Sequence, residues 1–141
     1  MKIDSLISYI IILVLIVASI GVIYIIINPS PSERFTEFYL LGSDGKAGNY
    51  PTNLTLNENG TVIIGIVNRE GTPTNYQLLI KLNNNTIKQE PIKLQDKEKK
   101  EINLTFNVNQ TGNNQKLEFY LFKLPDNQNP YRFLELIINV N

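Results

Sequence analysis

Leu6 to Ile27 are twenty-two consecutive positions without a charge, and only Ser8, Tyr9, Ser19, Gly21 and Tyr24 among them are not aliphatic. A bilayer core of about 30 Å needs roughly 20 apolar residues of helix at about 1.5 Å each. The run therefore predicts one membrane-spanning helix, and no later stretch repeats it. Beyond it the periodicity changes. Asn28–Ser32 reads NPSPS; its prolines stop the helix and favour an extended spacer. From Phe35 onward, short apolar runs of period two alternate with Asn/Gly/Pro/Asp clusters about every 8–12 residues, which is the pattern of an all-β domain.

Strands are predicted over Phe35–Leu41 and Asn53–Leu56, the second with Leu54 and Leu56 on one face. Thr61–Asn68 is apolar on both faces and reads as a central, buried strand. Tyr76, Leu78, Ile80 and Leu82 alternate with Gln77 and Lys81, and Asn83–Asn85 then makes a tight turn. Pro91 places Thr86–Leu94 at a sheet edge. Asp96–Lys100 reads as a solvated hairpin loop. Ile102, Leu104, Phe106 and Val108 form an apolar face, with Asn103, Thr105 and Asn107 pointing out. Lys116–Lys123 and Phe133–Val140 complete about seven or eight strands, which predicts a two-sheet antiparallel β-sandwich of the immunoglobulin-like or fibronectin-like kind. The expected core is Val62, Ile64, Ile66, Leu78, Ile80, Leu104, Phe106, Phe119 and Leu136. The expected organisation is a short tail and transmembrane helix over 1–28, a Pro/Ser spacer over 29–34, and an extracytoplasmic sandwich over 35–141.

Charge sets the expected topology. Lys2 and the α-amino group precede the apolar run, whereas Ser30, Ser32, Glu33 and Arg34 follow it, which favours an N-in, C-out anchor in the cell membrane. A cleavable signal peptide fits less well: its apolar region is roughly 7–15 residues, and no small-x-small site follows Ile27. A pilin-type leader would need a basic pre-segment, for which Met1–Ser5 offers no room. The spacer, at about 3.1–3.6 Å per residue, would hold the domain within about 20 Å of the headgroups. Five N-x-[ST] sequons, at Asn53, Asn59, Asn84, Asn103 and Asn109, support an exterior location, although a chain this rich in Asn yields one or two by chance.

Composition narrows the chemistry. The chain has no cysteine and no histidine, so it lacks a disulfide framework, a thiolate nucleophile and the commonest general base and metal ligand. Thirteen Lys/Arg balance thirteen Asp/Glu, which offers no broad basic face to nucleic acid. No cofactor or metal is expected. The segment Gly42–Lys46 has its glycines too close together for a phosphate loop.

Three stretches, Phe35–Ala47 (FTEFYLLGSDGKA), Tyr50-Pro51 and Gly60–Glu70 (GTVIIGIVNRE), resemble the front half of an archaeal membrane-protein family known as a domain of unknown function, DUF1616. The Gly60–Asn68 segment with Tyr76–Leu78 also resembles adhesion-type sandwich modules of prokaryotic surface proteins. The resemblance implies an immunoglobulin-like module and supplies no catalytic residues. Many members of the family carry several membrane helices before this domain.

Four candidate features remain. Asp44, Lys46, Asn49 and Tyr50 share one loop that would bind a ligand or an ion, or would simply be a connection whose glycines serve backbone geometry. Asp126–Asn129 carries oxygens as well but reads first as a turn. The carboxylates Glu33, Glu37, Glu70, Glu118 and Glu135 are scattered singly, and pairing across strands is not legible from sequence. In Lys116–Lys123, Leu117, Phe119 and Leu121 share one face, leaving Tyr120 and Phe122 beside Glu118 on the other. If Leu117's face is core, Tyr120 and Phe122 form a contact surface for a membrane partner or a carbohydrate, or are covered by loops. Two functions follow: a binding or structural module of the cell envelope, accessory to a membrane assembly, or a carboxylate-dependent envelope hydrolase. The first is favoured, with a membrane or envelope protein as partner.

Overall fold

A computed structural model describes Lys2–Ile27 and residues 33–141; the expected NPSPS spacer, residues 28–32, lies outside the described residues. The chain divides into two compact units, Met1–Glu33 and Arg34–Asn141. The first holds α1, Lys2–Ile27, a 26-residue helix. At about 1.5 Å per residue it is long enough to cross a bilayer, and its mean hydropathy reaches 3.3. Two of its serines do not need water. Ser8 Oγ donates to the Asp4 carbonyl at 2.9 Å and Ser19 Oγ to that of Leu15 at 2.8 Å, which satisfies both hydroxyls within the helix.

The second unit is built from β1 (Phe35–Gly42), β2 (Asn53–Leu54), β3 (Asn59–Arg69), β4 (Thr74–Leu82), β5 (Asn85–Leu94), β6 (Lys99–Asn107), β7 (Gly112–Lys123) and β8 (Arg132–Val140). These form a three-stranded sheet, β1-β3-β6, and a five-stranded sheet, β2-β8-β7-β4-β5. Every pairing is antiparallel except the two-residue β2, which runs parallel to β8. The expected sandwich is therefore the observed fold, with one short parallel addition at an edge.

All nine residues assigned to the core are buried. Tyr76, Leu117, Leu121, Ile138 and Val140 join them, because strand parity carries each apolar series to its end. Leu56 departs from the expected strand: β2 stops at Leu54, and Leu56 lies in the following turn, 45% exposed, instead of sharing a buried face with Leu54. The expected Asn83–Asn85 turn forms at Asn83 and Asn84, both at positive φ (49° and 68°), with Asn85 already opening β5. The Asp96–Lys100 loop is shorter than expected, since Lys99 and Lys100 already belong to β6.

β3 is the central strand that its two-sided apolarity predicts. Its inward side chains Val62, Ile64 and Ile66 are fully buried. Outside, the Tyr39 ring from β1 lies flat over Gly65: a Cβ there would stand 2.1 Å from Tyr39 Cζ. Glycine is required at this position by the close approach of the ring, which covers the strand in place of a side chain.

The four sheet edges differ. β1 is blunted by side chains that take its outward carbonyls: Tyr50 OH donates to Leu40 O at 3.0 Å and Arg132 Nε to Thr36 O at 3.2 Å. β2 is only two residues long. β5 contains Pro91, pairs with β4 through a register shift at Ile80/Lys81, and carries Glu90 bridged by Lys88 and by Lys100 of β6. β6 runs for nine residues in unbroken register with β3 and has no proline.

Candidate functional site

At the end of the sandwich where β1 begins, a cleft of about 580 Å³ is lined by Arg34, Glu70, Thr74, Asn75, Lys123 and Tyr131, with Thr72, Pro73 and Leu124. Glu70 follows β3 and is 7% exposed. Its carboxylate is held by three elements. Thr36 Oγ1 of β1 donates to Oε2 at 2.7 Å, Tyr131 OH donates to the same oxygen at 2.8 Å, and Lys123 Nζ lies 3.4 Å from Oε1. Thr36 has a single hydroxyl proton, which is given to Glu70, so Tyr76 OH must be the donor in the 2.8 Å contact with Thr36 Oγ1. The proton order runs Tyr76 to Thr36 to Glu70. Burial pushes the Glu70 carboxyl up, but the hydrogen bonds from Thr36 and Tyr131 and the Lys123 charge outweigh it and hold it below the ordinary value. Burial first, opposed by the bond it shares with Thr36, leaves the Tyr76 hydroxyl above its usual range. Lys123 also stands 4.3 Å above the Tyr131 ring.

Behind the cleft, the side chain of fully buried Asn68 ties the turns together. Its amide donates to the carbonyls of Thr72 (2.9 Å), Leu94 (3.1 Å) and Gln95 (3.1 Å), and its oxygen accepts the Glu70 N–H at 2.9 Å. The β3–β4 and β5–β6 connections are thereby fixed to one side chain. Neither Asn68 nor the Glu70 network stands out in the sequence, since its hydrogen-bonded pairs are 34 to 61 positions apart.

Glycoside chemistry by paired acids needs two carboxyls about 5–10 Å apart across a cleft. Among the described residues Glu70 is the only carboxylate lining this one. Glu118 and Glu135 do meet, directly opposite each other on β7 and β8, but on the open outer face of the five-stranded sheet. There Tyr120 OH donates to Glu118 Oε2 at 2.7 Å. That hydrogen bond, then burial and the charges of Glu118 and Glu135, push the Tyr120 hydroxyl up to about 12. Glu37 is bridged to Arg69 at 3.1 Å. Among the described residues no three His, Cys, Asp or Glu side chains converge to hold a metal.

Tyr120 and Phe122 lie on that same outer face, half-buried. The register adds residues that the sequence did not single out: Leu79 and Phe133 flank Tyr120 on β4 and β8. The Tyr120 and Phe133 rings touch at 5.1 Å and 50°. Phe133 is 47% and Ile137 37% exposed, and Lys81 caps the Tyr120 ring at 5.6 Å. Leu79, Tyr120 and Phe133 make an apolar row across three strands, and Ile137 lies apart from it, opposite Lys116 and beyond the Glu118–Glu135 pair.

The loop of Asp44, Lys46, Asn49 and Tyr50 is folded on itself. Asp44 Oδ1 accepts the Lys46 N–H at 3.1 Å, Gly42 N–H donates to Lys46 O at 2.9 Å, and Tyr50 packs on the core. Asp126 Oδ1 likewise takes the N–H groups of Gln128 and Asn129, both at 3.1 Å, as a turn residue does. All five sequon asparagines are exposed. Asn53, Asn59, Asn84 and Asn109 gather at the end of the sandwich remote from the cleft, and Asn103 sits at the middle of β6 on the outer face of the three-stranded sheet.

Fold and surface together define an immunoglobulin-like β-sandwich preceded by an apolar helix, an arrangement that fits a membrane-anchored module. The chain belongs to the family described as domain of unknown function (DUF1616), whose profile matches residues 29–139. Its fold is similar to the CARDB domain of a Pyrococcus furiosus protein, solved in complex with di-metal ions (TM-score 0.58, 14% identity, 76% of this chain and 93% of that one). It is also similar to a chain in the human seminal-plasma complex of zinc 2-glycoprotein and prolactin-inducible protein (TM-score 0.57, 9% identity, 78% and 98%). A Listeria innocua β-glucosidase shares the fold over only 16% of its own chain (TM-score 0.50, 16% identity). No curated protein sequence matches the chain.

Proposed function

We propose that this protein is a single-pass, N-in, C-out component of the cell envelope whose β-sandwich is a recognition module, docking on another membrane or envelope protein through the outer face of its five-stranded sheet. The observation that carries the reading is the row of Leu79, Tyr120 and Phe133. Large apolar side chains adjoin across strands on a surface whose opposite face already supplies the core. Aromatic side chains of this kind are enriched at the centres of protein interfaces. The 50° tilt between the two rings gives an irregular surface suited to a protein, where a sugar chain would favour coplanar rings. The sequons are glycosylated and stand clear of the row: Phe133 lies six residues along β8 from Asn139, the partner of Asn53, or about 20 Å.

The test is the size of the native assembly. Membranes extracted in mild detergent should yield wild-type protein in a larger complex, and Tyr120→Ser/Phe133→Ser protein, still folded, as the isolated species. If both migrate alike, the row is not the docking face. Protease added to intact cells should remove the sandwich; protection until lysis would reverse the orientation.

A further inference from the structure

Among the described residues β6 is the least guarded sheet edge, its one inward charge, Lys100, being taken up by Glu90 of β5 at 3.5 Å near the start of the strand. Its inner side chains Ile102, Leu104 and Phe106 are buried and its outer ones alternate as Lys99, Glu101, Asn103, Thr105 and Asn107. Along its free side, alternate residues present backbone N–H and C=O groups to solvent, the template on which another strand adds. β1, β2 and β5 are protected by capping side chains, by brevity, and by a proline with a register shift; β6 has none of these. Its own sequence is compatible with antiparallel self-pairing. With Asn103 opposite Asn103, Glu101 meets Thr105, Lys99 meets Asn107, and Ile102 meets Leu104, so no like charges oppose.

We infer that a glycan on Asn103 is the guard of this edge, blocking a second copy of the chain from adding its β6 to the sheet. The inference rests on the reading that the domain is extracytoplasmic and its sequons are used. Asn103 is the fifth of nine residues in β6, its side chain is exposed, and Thr105 of the same sequon is held across the pair by Thr61 at 3.2 Å. An added strand would lie about 4.8 Å away, with its central side chain about 4.5–5.5 Å from Asn103 Cβ. A sugar bonded to Nδ2 stands on that same outer face and crowds the central side chain of the added strand. Its donor is a lipid-phosphate-linked oligosaccharide: the C–N bond to Nδ2 forms as the anomeric C–O bond to phosphate breaks, the phosphate leaves with the electron pair, and the amide proton passes to base. The four other sequons are not on this strand, so one position carries the effect.

The experiment compares full-length protein from its own membranes, in detergent, as wild type, Asn103→Gln, Asn103→Lys and Asn84→Gln. Peptide mass reports the modification at Asn103, sedimentation the association, and amide exchange the contact. Asn103→Gln should double its weight-average mass as concentration rises, with slowed exchange confined to β6. Asn103→Lys, which loses the glycan but places a charge at mid-edge, should show no such association, and neither should Asn84→Gln. An Asn103→Gln protein that stays monomeric while wild-type Asn103 bears a glycan overturns the guard and leaves the glycosylation reading standing. Wild-type Asn103 at its unmodified mass overturns both at this position. Association of Asn103→Lys equal to that of Asn103→Gln also overturns the inference, because edge pairing would then not be the cause.

Discussion

Glu70→Gln removes one oxygen's charge from the best-connected carboxylate of the sandwich and leaves its shape intact. In the wild type the carboxylate accepts from Thr36 at 2.7 Å and Tyr131 at 2.8 Å and faces Lys123 at 3.4 Å. A hydrogen bond to a charged group is worth about 1.5–3 kcal/mol against about 0.5–1.5 for a neutral one. Two such bonds weakened therefore cost about 2–3 kcal/mol. The Lys123 pair adds little, because the lysine side chain is 39% exposed and solvent screens it. If the Gln amide turns its NH₂ toward Tyr131 and Thr36, the Tyr76–Thr36 donor chain must reverse as well. Thermal unfolding followed by circular dichroism in detergent, with the α1 signal as background, should show a drop of roughly 8–15 °C at neutral pH. The pH dependence is the sharper readout. Glu70's folded pKa lies below its unfolded value, so its contribution is complete above the unfolded pKa of about 4.3 and is lost as pH falls through the folded pKa. Wild type should lose stability across that acid window, and the difference from Glu70→Gln should shrink there. A variant within about 0.5 kcal/mol of wild type at neutral pH, or one whose difference from wild type does not change with acid, would refute the reasoning.

Three further outcomes follow from individual contacts. Asn68→Ala, which orphans the Glu70 N–H and the Thr72, Leu94 and Gln95 carbonyls, should destabilise by about 3 kcal/mol or more and speed amide exchange in both adjoining turns. Gly65→Ala drives a methyl into the Tyr39 ring and should cost about 1–3 kcal/mol; combined with Tyr39→Ala the cost should be less than additive in a double-mutant cycle. Spectroscopic titration should find Tyr120 ionising near pH 12, and Glu118→Gln should lower that value by replacing the accepting carboxylate and its charge.

How far the chain explains itself varies by element. The apolar run of α1 and the period-two strands were legible because each is set by local periodicity, and burial of one face forces register. Parity alone placed Tyr120 and Phe122 off the core face of β7. It did not show that Leu79 and Phe133 complete the row, because strand order in a sheet depends on which loops close, not on any one strand.

The sequence by itself determined a membrane-length helix, an all-β domain, nine core residues and Pro91 at an edge, since each follows from hydrophobic period or from backbone chemistry within a few residues. Only the tertiary structure decided that Thr36, Glu70, Tyr76, Lys123 and Tyr131 would meet at one end, that Glu118 would oppose Glu135, and that β6 would be the open edge. Those facts depend on contacts between residues dozens of positions apart, whose loop-closure cost is repaid by burial of the whole core. No local pattern in the chain records them.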